Sequence, residues 1–109
     1  MGAMTIDDET LRRIVSEIVR LAHPDRVILF GSAASGTMTA DSDLDLLVVE
    51  PQVSDTRRES IRLRAALAGL PFPLDVIVMS RQRFEETRDV VGGIAYPAHK
   101  YGKVLYEAA

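Results

Sequence analysis

The sequence has no cysteine and no tryptophan, and only 6% of its 109 residues are aromatic. Without cysteine there is no disulfide framework, no thiolate metal centre and no cysteine nucleophile. No apolar run approaches the roughly 20 residues that a membrane-crossing helix needs. Basic charge is not in surplus either. Thirteen Lys and Arg face sixteen Asp and Glu, for a net charge of -3, which argues against general binding to a phosphate backbone. No charged-then-apolar leader opens the chain, so the expected location is the cytoplasm. Five prolines and seven glycines are too few and too scattered to build a linker, and no repeat or low-complexity tract divides the chain.

What remains is the material of one modest core. The chain is 47% hydrophobic and 27% charged, ordinary values for a globular protein. A fold of this size buries roughly 65% of the surface its unfolded chain exposes. Residues 1–4, Met1-Gly2-Ala3-Met4, read as a cloning remnant or a disordered start, and residues 5–109 as a single domain.

Periodicity predicts a helix from Asp7 to Ala22, with Leu11, Ile14, Val15, Ile18, Val19 and Ala22 on one side. Thr5 and Asp8 form a capping-box start, and Pro24 stops the helix. Val27–Phe30 is a short apolar run, the pattern of a strand covered on both faces, and Gly31 ends it. Leu44–Val49 is a second such strand. A helix follows over Thr56–Leu70, with Thr56 and Glu59 as its capping box. Leu74–Met79 is a third strand, after which Ser80 caps a short helix containing Phe84. The stretch from Val90 to Tyr101 carries Gly92-Gly93 and Pro97 and supports no assignment, and Val104–Tyr106 is a final strand. Short apolar strands alternating with helices indicate an α/β (α+β) fold, a small sheet covered by helices.

Three acids break the apolar pattern. Asp43 and Asp45 stand two residues apart at the start of the second strand, so their side chains share a face. Asp75 sits among Leu74, Val76, Ile77 and Val78. Ionised carboxylates inside apolar strands are costly unless paired, and two on one face also repel. A divalent cation removes these penalties together, since gathered carboxylate oxygens suit Mg²⁺.

Immediately after the first strand comes Gly31-Ser32-Ala33-Ala34-Ser35-Gly36. Small residues at such a turn let backbone N–H groups approach a phosphate. The loop is not a Walker A motif, because Thr37 stands where that motif requires lysine.

Taken together, Gly31-Ser32, an eleven-residue step to Asp43-Leu44-Asp45, and a later strand bearing Asp75 resemble the DNA polymerase beta nucleotidyltransferase superfamily, in particular its minimal nucleotidyltransferase (MNT, MntA-like) domains. The likeness extends from Val27 to Gly102-Lys103-Val104-Leu105-Tyr106. It implies a nucleotidyltransferase fold with a mixed sheet, and transfer of a nucleoside monophosphate, AMP from ATP, to an acceptor hydroxyl. In that frame Asp43, Asp45 and Asp75 are the catalytic and metal-holding residues, serving two Mg²⁺ ions for which Mn²⁺ can substitute. Gly31 and Ser32 bind the phosphates. The chain departs from the family where Ala33 and Ser35 replace the arginines usual in the loop. No further segment binds an acceptor, so the resemblance implies a separate HEPN-type helical partner in a toxin–antitoxin pair. Two other readings stay open: a non-catalytic module that blocks its partner by contact, and a transferase acting on a small molecule or RNA. Neither the nucleotide nor the oligomeric state is legible.

The other polar residues have plainer readings. Arg57, Arg58, Arg62 and Arg64 read as a solvated basic helix face, against the alternative of an acidic partner or RNA. His23 and His99 are isolated and read as structural or exposed, Tyr96 and Tyr106 as core or edge residues, and Gly92-Gly93 as a turn.

Overall fold

A computed structural model of the chain describes residues 7–36, 43–70 and 73–109. Helix α1 runs Asp8–Ala22 and buries Leu11, Ile14 and Ile18 along one stripe. Asp7 caps it, accepting from the Thr10 amide at 2.7 Å. The expected partner Thr5 lies outside the described residues. At the other end His23 adopts the left-handed conformation and its N–H bonds to Val19 O, so this histidine is a structural C-cap.

Strand β1 (Arg26–Phe30) leads into a single-turn helix α2 (Ser32–Ser35), and β2 (Leu44–Glu50) follows. Helix α3 covers Thr56–Ala66, four residues shorter than its periodicity suggested, and is capped at Asp55 rather than at Thr56. The correction has a local cause. The Asp55 carboxylate accepts from the Arg58 amide at 3.0 Å, while Glu59 is engaged by the Arg62 guanidinium and is not free to close a box on Thr56. Strand β3 (Leu74–Ser80) precedes α4 (Arg81–Thr87), which Ser80 caps as expected.

Helix α5 (Ala95–Tyr101) fills the unassigned stretch. Pro97 is its third residue, where the missing N–H would have had no partner in the first turn. Strand β4 (Lys103–Glu107) ends the described fold. Between them Gly102 is fixed by space. A Cβ there would collide with Ala98 O and stand 2.7 Å from Ile28 Cγ2, so its absence lets α5 lie directly on β1.

The sheet has the order β3-β2-β1-β4. Strand β2 runs parallel to β3 and antiparallel to β1, and β4 is antiparallel to β1. The sheet is therefore mixed, as the resemblance implied. Alternation along the strands separates two cores. Val27, Leu29, Leu44, Leu46, Val48, Val76 and Val78 pack with α1 and α3. Ile28, Leu47 and Val49 pack on the other face with Phe84 of α4 and with Ala95 and Ala98 of α5. Each fully buried leucine or isoleucine contributes about 1.5–3 kcal/mol by leaving water. No helix among the described residues is long and apolar enough to cross a membrane.

One acid belongs to this core. Glu50, at the C-terminal end of β2, is 6% exposed. As a carboxylate, its Oε2 meets no donor. Burial first, then the hydrogen bond and negative charge of Glu59, push its pKa up to about 8, against a smaller opposing pull from Arg62. At neutral pH Glu50 is therefore a neutral acid that donates to Glu59. Arg62 clamps Glu59 at 2.7 and 2.8 Å and also donates to Leu21 O of α1. Because the folded chain holds this proton more tightly than the unfolded chain, stability falls as pH rises from about 4.5 to about 8 and then levels. Glu50→Gln keeps a donor and removes the ionisation. The variant is expected to gain about 1–3 kcal/mol over wild type at pH 9, with no gain at pH 4, as read by urea unfolding at each pH.

Candidate active site

The C-terminal end of β1 and the N-terminal ends of β2 and β3 lie side by side. Phe30 pairs with Asp45 across the antiparallel ladder, and Asp45 is in register with Asp75 across the parallel one. Asp45 and Asp75 share the strand face of Leu47, Val49, Ile77 and Met79 by alternation, beyond the apolar contacts of α4 and α5. Asp43 is exposed and sits two residues before Asp45, just outside the strand. Two neighbouring strands thus present Asp45 and Asp75 at one level, while Asp43, expected on the same strand face as Asp45, lies just before the strand.

Gly31 completes the arrangement. It turns the chain at the end of β1 with φ of +73°, a conformation that disfavours any side chain. A Cβ at this position would collide with Oδ2 of Asp45. The glycine therefore serves two purposes, permitting the turn and leaving the Asp45 carboxylate uncovered. Ser32 begins α2 directly after it, with no side-chain cap on that turn. Ser35 stands one turn later, its hydroxyl donating to Ser32 O at 3.3 Å.

Electrostatics distinguish the three acids. The pKa of Asp45 is raised, by burial first and then by the charges of Asp75 and Asp43. Among the described residues no cation or N–H donor offsets this. Asp75 does have a partner. Arg64 of α3 donates to its Oδ1 from Nη2 at 3.3 Å, with both side chains about half exposed. Sequence reasoning placed Arg64 on a solvated face and missed this contact. No sequence signal marked it, because it depends on how α3 docks on β3, where the Ser60 hydroxyl, one helical turn before Arg64, donates to Val76 O beside Asp75. Arg62 of the same supposed face is also committed, to Glu59.

Among the described residues no three carboxylate or imidazole side chains are gathered closely enough to hold one ion together. The donor set nonetheless fits a hard cation. It offers carboxylate oxygens, a part-buried acid with no counter-charge among the described residues, and a glycine that keeps the approach clear. A cavity of about 540 Å³ lies between α1 and the end of α3, lined by Ile14, Glu17 and Leu67, and none of the three acids borders it. Among the described residues the candidate site lies at an edge of the sheet where β1, β2 and β3 meet.

Residues 9–99 match the family model described as a nucleotidyltransferase domain. The chain belongs to the nucleotidyltransferase family. Solved structures share the fold of this nucleotidyltransferase domain at low identity. A mutant of the MntA–HpeT toxin–antitoxin is 19% identical with a TM-score of 0.63, over 95% of this chain and 75% of that one. A protein of Sulfolobus solfataricus, solved as a candidate nucleotidyltransferase, is 18% identical with a TM-score of 0.62, over 91% and 78%. A toxin–antitoxin solved with AMP-PNP is 20% identical with a TM-score of 0.56, over 88% and 73%. No curated protein matches the chain at a significant level.

Proposed function

We propose that this domain is a Mg²⁺-dependent nucleotidyltransferase that moves AMP from ATP to a hydroxyl on a separate acceptor. The observation that carries this reading is the pairing of Asp45 with Asp75 on adjacent strands, with Asp45 left without counter-charge among the described residues and beside the bare backbone of Gly31. A part-buried carboxylate in that state is stabilised by a cation. Asp43 and Asp45 would hold a nucleotide-bound Mg²⁺ and Asp75 a second ion. When bound, such ions offset the charge that builds on the phosphates during an in-line displacement. The protein's own part is positioning. Gly31 and Ser32 present backbone N–H and hydroxyl groups to the phosphate oxygens. The acceptor oxygen bonds to the α-phosphorus as the bond from that phosphorus to the bridging oxygen breaks. Pyrophosphate leaves, and the acceptor proton passes to the Asp75 carboxylate.

The acceptor we infer is a hydroxyl, such as that of a tyrosine, on a HEPN-type helical partner in the cytoplasm. Structural likeness to toxin–antitoxin proteins, one solved with AMP-PNP, supports that choice. A second reading, neutralisation of the partner by contact alone, is favoured by the absence of arginine between Ser32 and Gly36.

Calorimetric titration of the protein with ATP and Mg²⁺ tests the nucleotide site. Ser32→Ala is expected to weaken binding by about 1–2 kcal/mol, the scale of one hydrogen bond to a charged group. An unchanged affinity in this variant would reduce Ser32 to the opening residue of a helical turn.

A further inference from the structure

The charge balance of the site raises a question that the three acids do not answer. From Gly31 to Asp45 the sequence contains no lysine or arginine, so a triphosphate held there would meet no side-chain cation from its own loop. Lys103 stands at the same end of the sheet, but it pairs with Leu29, whose face belongs to the α1 and α3 core. It therefore points away from the acids. Arg64 is the side-chain cation that the described residues bring into contact with one of the three acids, and it arrives from another element.

Its placement is specific and its contact is weak. Ser60 binds the backbone of β3 at Val76, and Arg64 lies one turn further along the same helix face. That bond fixes the root of the arginine beside Asp75. The head is much less constrained. It makes a single hydrogen bond at 3.3 Å with half its side chain exposed. By contrast, Arg62 grips Glu59 and Arg81 grips Asp25 through two nitrogens each. An exposed pair with one long contact is readily exchanged for a better partner.

Resting on the reading of this site as one for metal and nucleotide, we propose that Arg64 is a two-position residue. In the free protein it holds Asp75. When nucleotide binds, it transfers to the triphosphate, supplies the cation that Ala33 and Ser35 cannot, and frees the Asp75 carboxylate for the site. Arg64 thus competes with cations for Asp75 and cooperates with nucleotide.

The consequence is a pair of shifts with opposite sign. Without nucleotide, Mn²⁺ titrated into Arg64→Gln and followed by electron paramagnetic resonance should bind about two- to fivefold more tightly than to wild type, because a weak internal competitor is gone. ATP affinity of the same variant should fall about tenfold, for loss of a charged hydrogen bond. Arg57→Gln, on the same helix and without an acid partner among the described residues, controls for net charge and should move neither quantity by half as much. Arg64→Lys should recover part of the ATP affinity. The melting temperature of Arg64→Gln should match wild type, since the pair is exposed. If wild type binds Mn²⁺ and ATP but both affinities are unchanged in Arg64→Gln, or fall together with the melting temperature, the two-position role is wrong while the site stands. If wild type binds neither, the site reading and this inference fall together.

Discussion

Asp45→Asn is expected to abolish Mn²⁺- and Mg²⁺-dependent nucleotide binding and, in metal-free protein, to raise the melting temperature. Both effects come from one feature. Asp45 is the part-buried member of the acid group, and its neighbours Asp75 and Asp43 make its ionised form still less favourable. Its folded pKa therefore lies above the unfolded value, and its contribution to stability worsens as pH rises through the carboxylate range. Asparagine keeps the shape and removes the charge. At pH 7 metal-free Asp45→Asn should therefore melt at a higher temperature than wild type. The gain should shrink toward zero as pH falls well below 3.8, the ordinary value, where Asp45 becomes protonated in folded and unfolded chain alike. The same substitution removes the carboxylate that faces Gly31 and is aligned with Asp75, so metal-linked binding goes with it. A variant that is less stable than wild type and binds Mn²⁺ normally would show that Asp45 is an ordinary strand residue.

Asp75→Asn separates transfer from binding. In the proposed site Asp43 and Asp45 hold the nucleotide-bound ion and the Gly31-Ser32 turn is untouched, so ATP affinity should stay within a few-fold of wild type. Transfer should fall by about two orders of magnitude or more, the scale of losing a positioned base. The loss belongs in kcat, because Asp75 is needed only as the acceptor oxygen attacks. Steady-state kinetics with ATP varied at fixed acceptor read this split directly. A rise in KM with kcat preserved would make Asp75 a ground-state ligand only.

How far these residues were legible in the sequence follows from which interactions are local. Strands β1, β2 and β3 announced themselves because each is a short apolar run between breakers, and the sheet register then placed Asp45 beside Asp75 as the shared pattern required. The start of α3 at Thr56 was legible, but its cap was misplaced by one residue. Asp55 and Thr56 are both good caps, and only the commitment of Glu59 to Arg62 decides between them. Helix α5 was hidden by Pro97, whose tolerance depends on its falling in the first turn. The partnership of Arg64 with Asp75 was invisible for a different reason. It depends on how α3 lies along β3, and nothing within the helix itself distinguishes Arg64 from Arg57 or Arg58.

Nucleotide transfer at this sheet edge is testable by following a labelled phosphate. Purified protein is incubated with Mg²⁺, ATP labelled at the α-phosphate and the proposed HEPN-type partner, and label on protein is followed together with released pyrophosphate. The account predicts label on the partner and an equal amount of pyrophosphate from wild type, with neither from Asp45→Asn. Neutralisation of the partner by wild type with no label incorporated and no pyrophosphate released would contradict it.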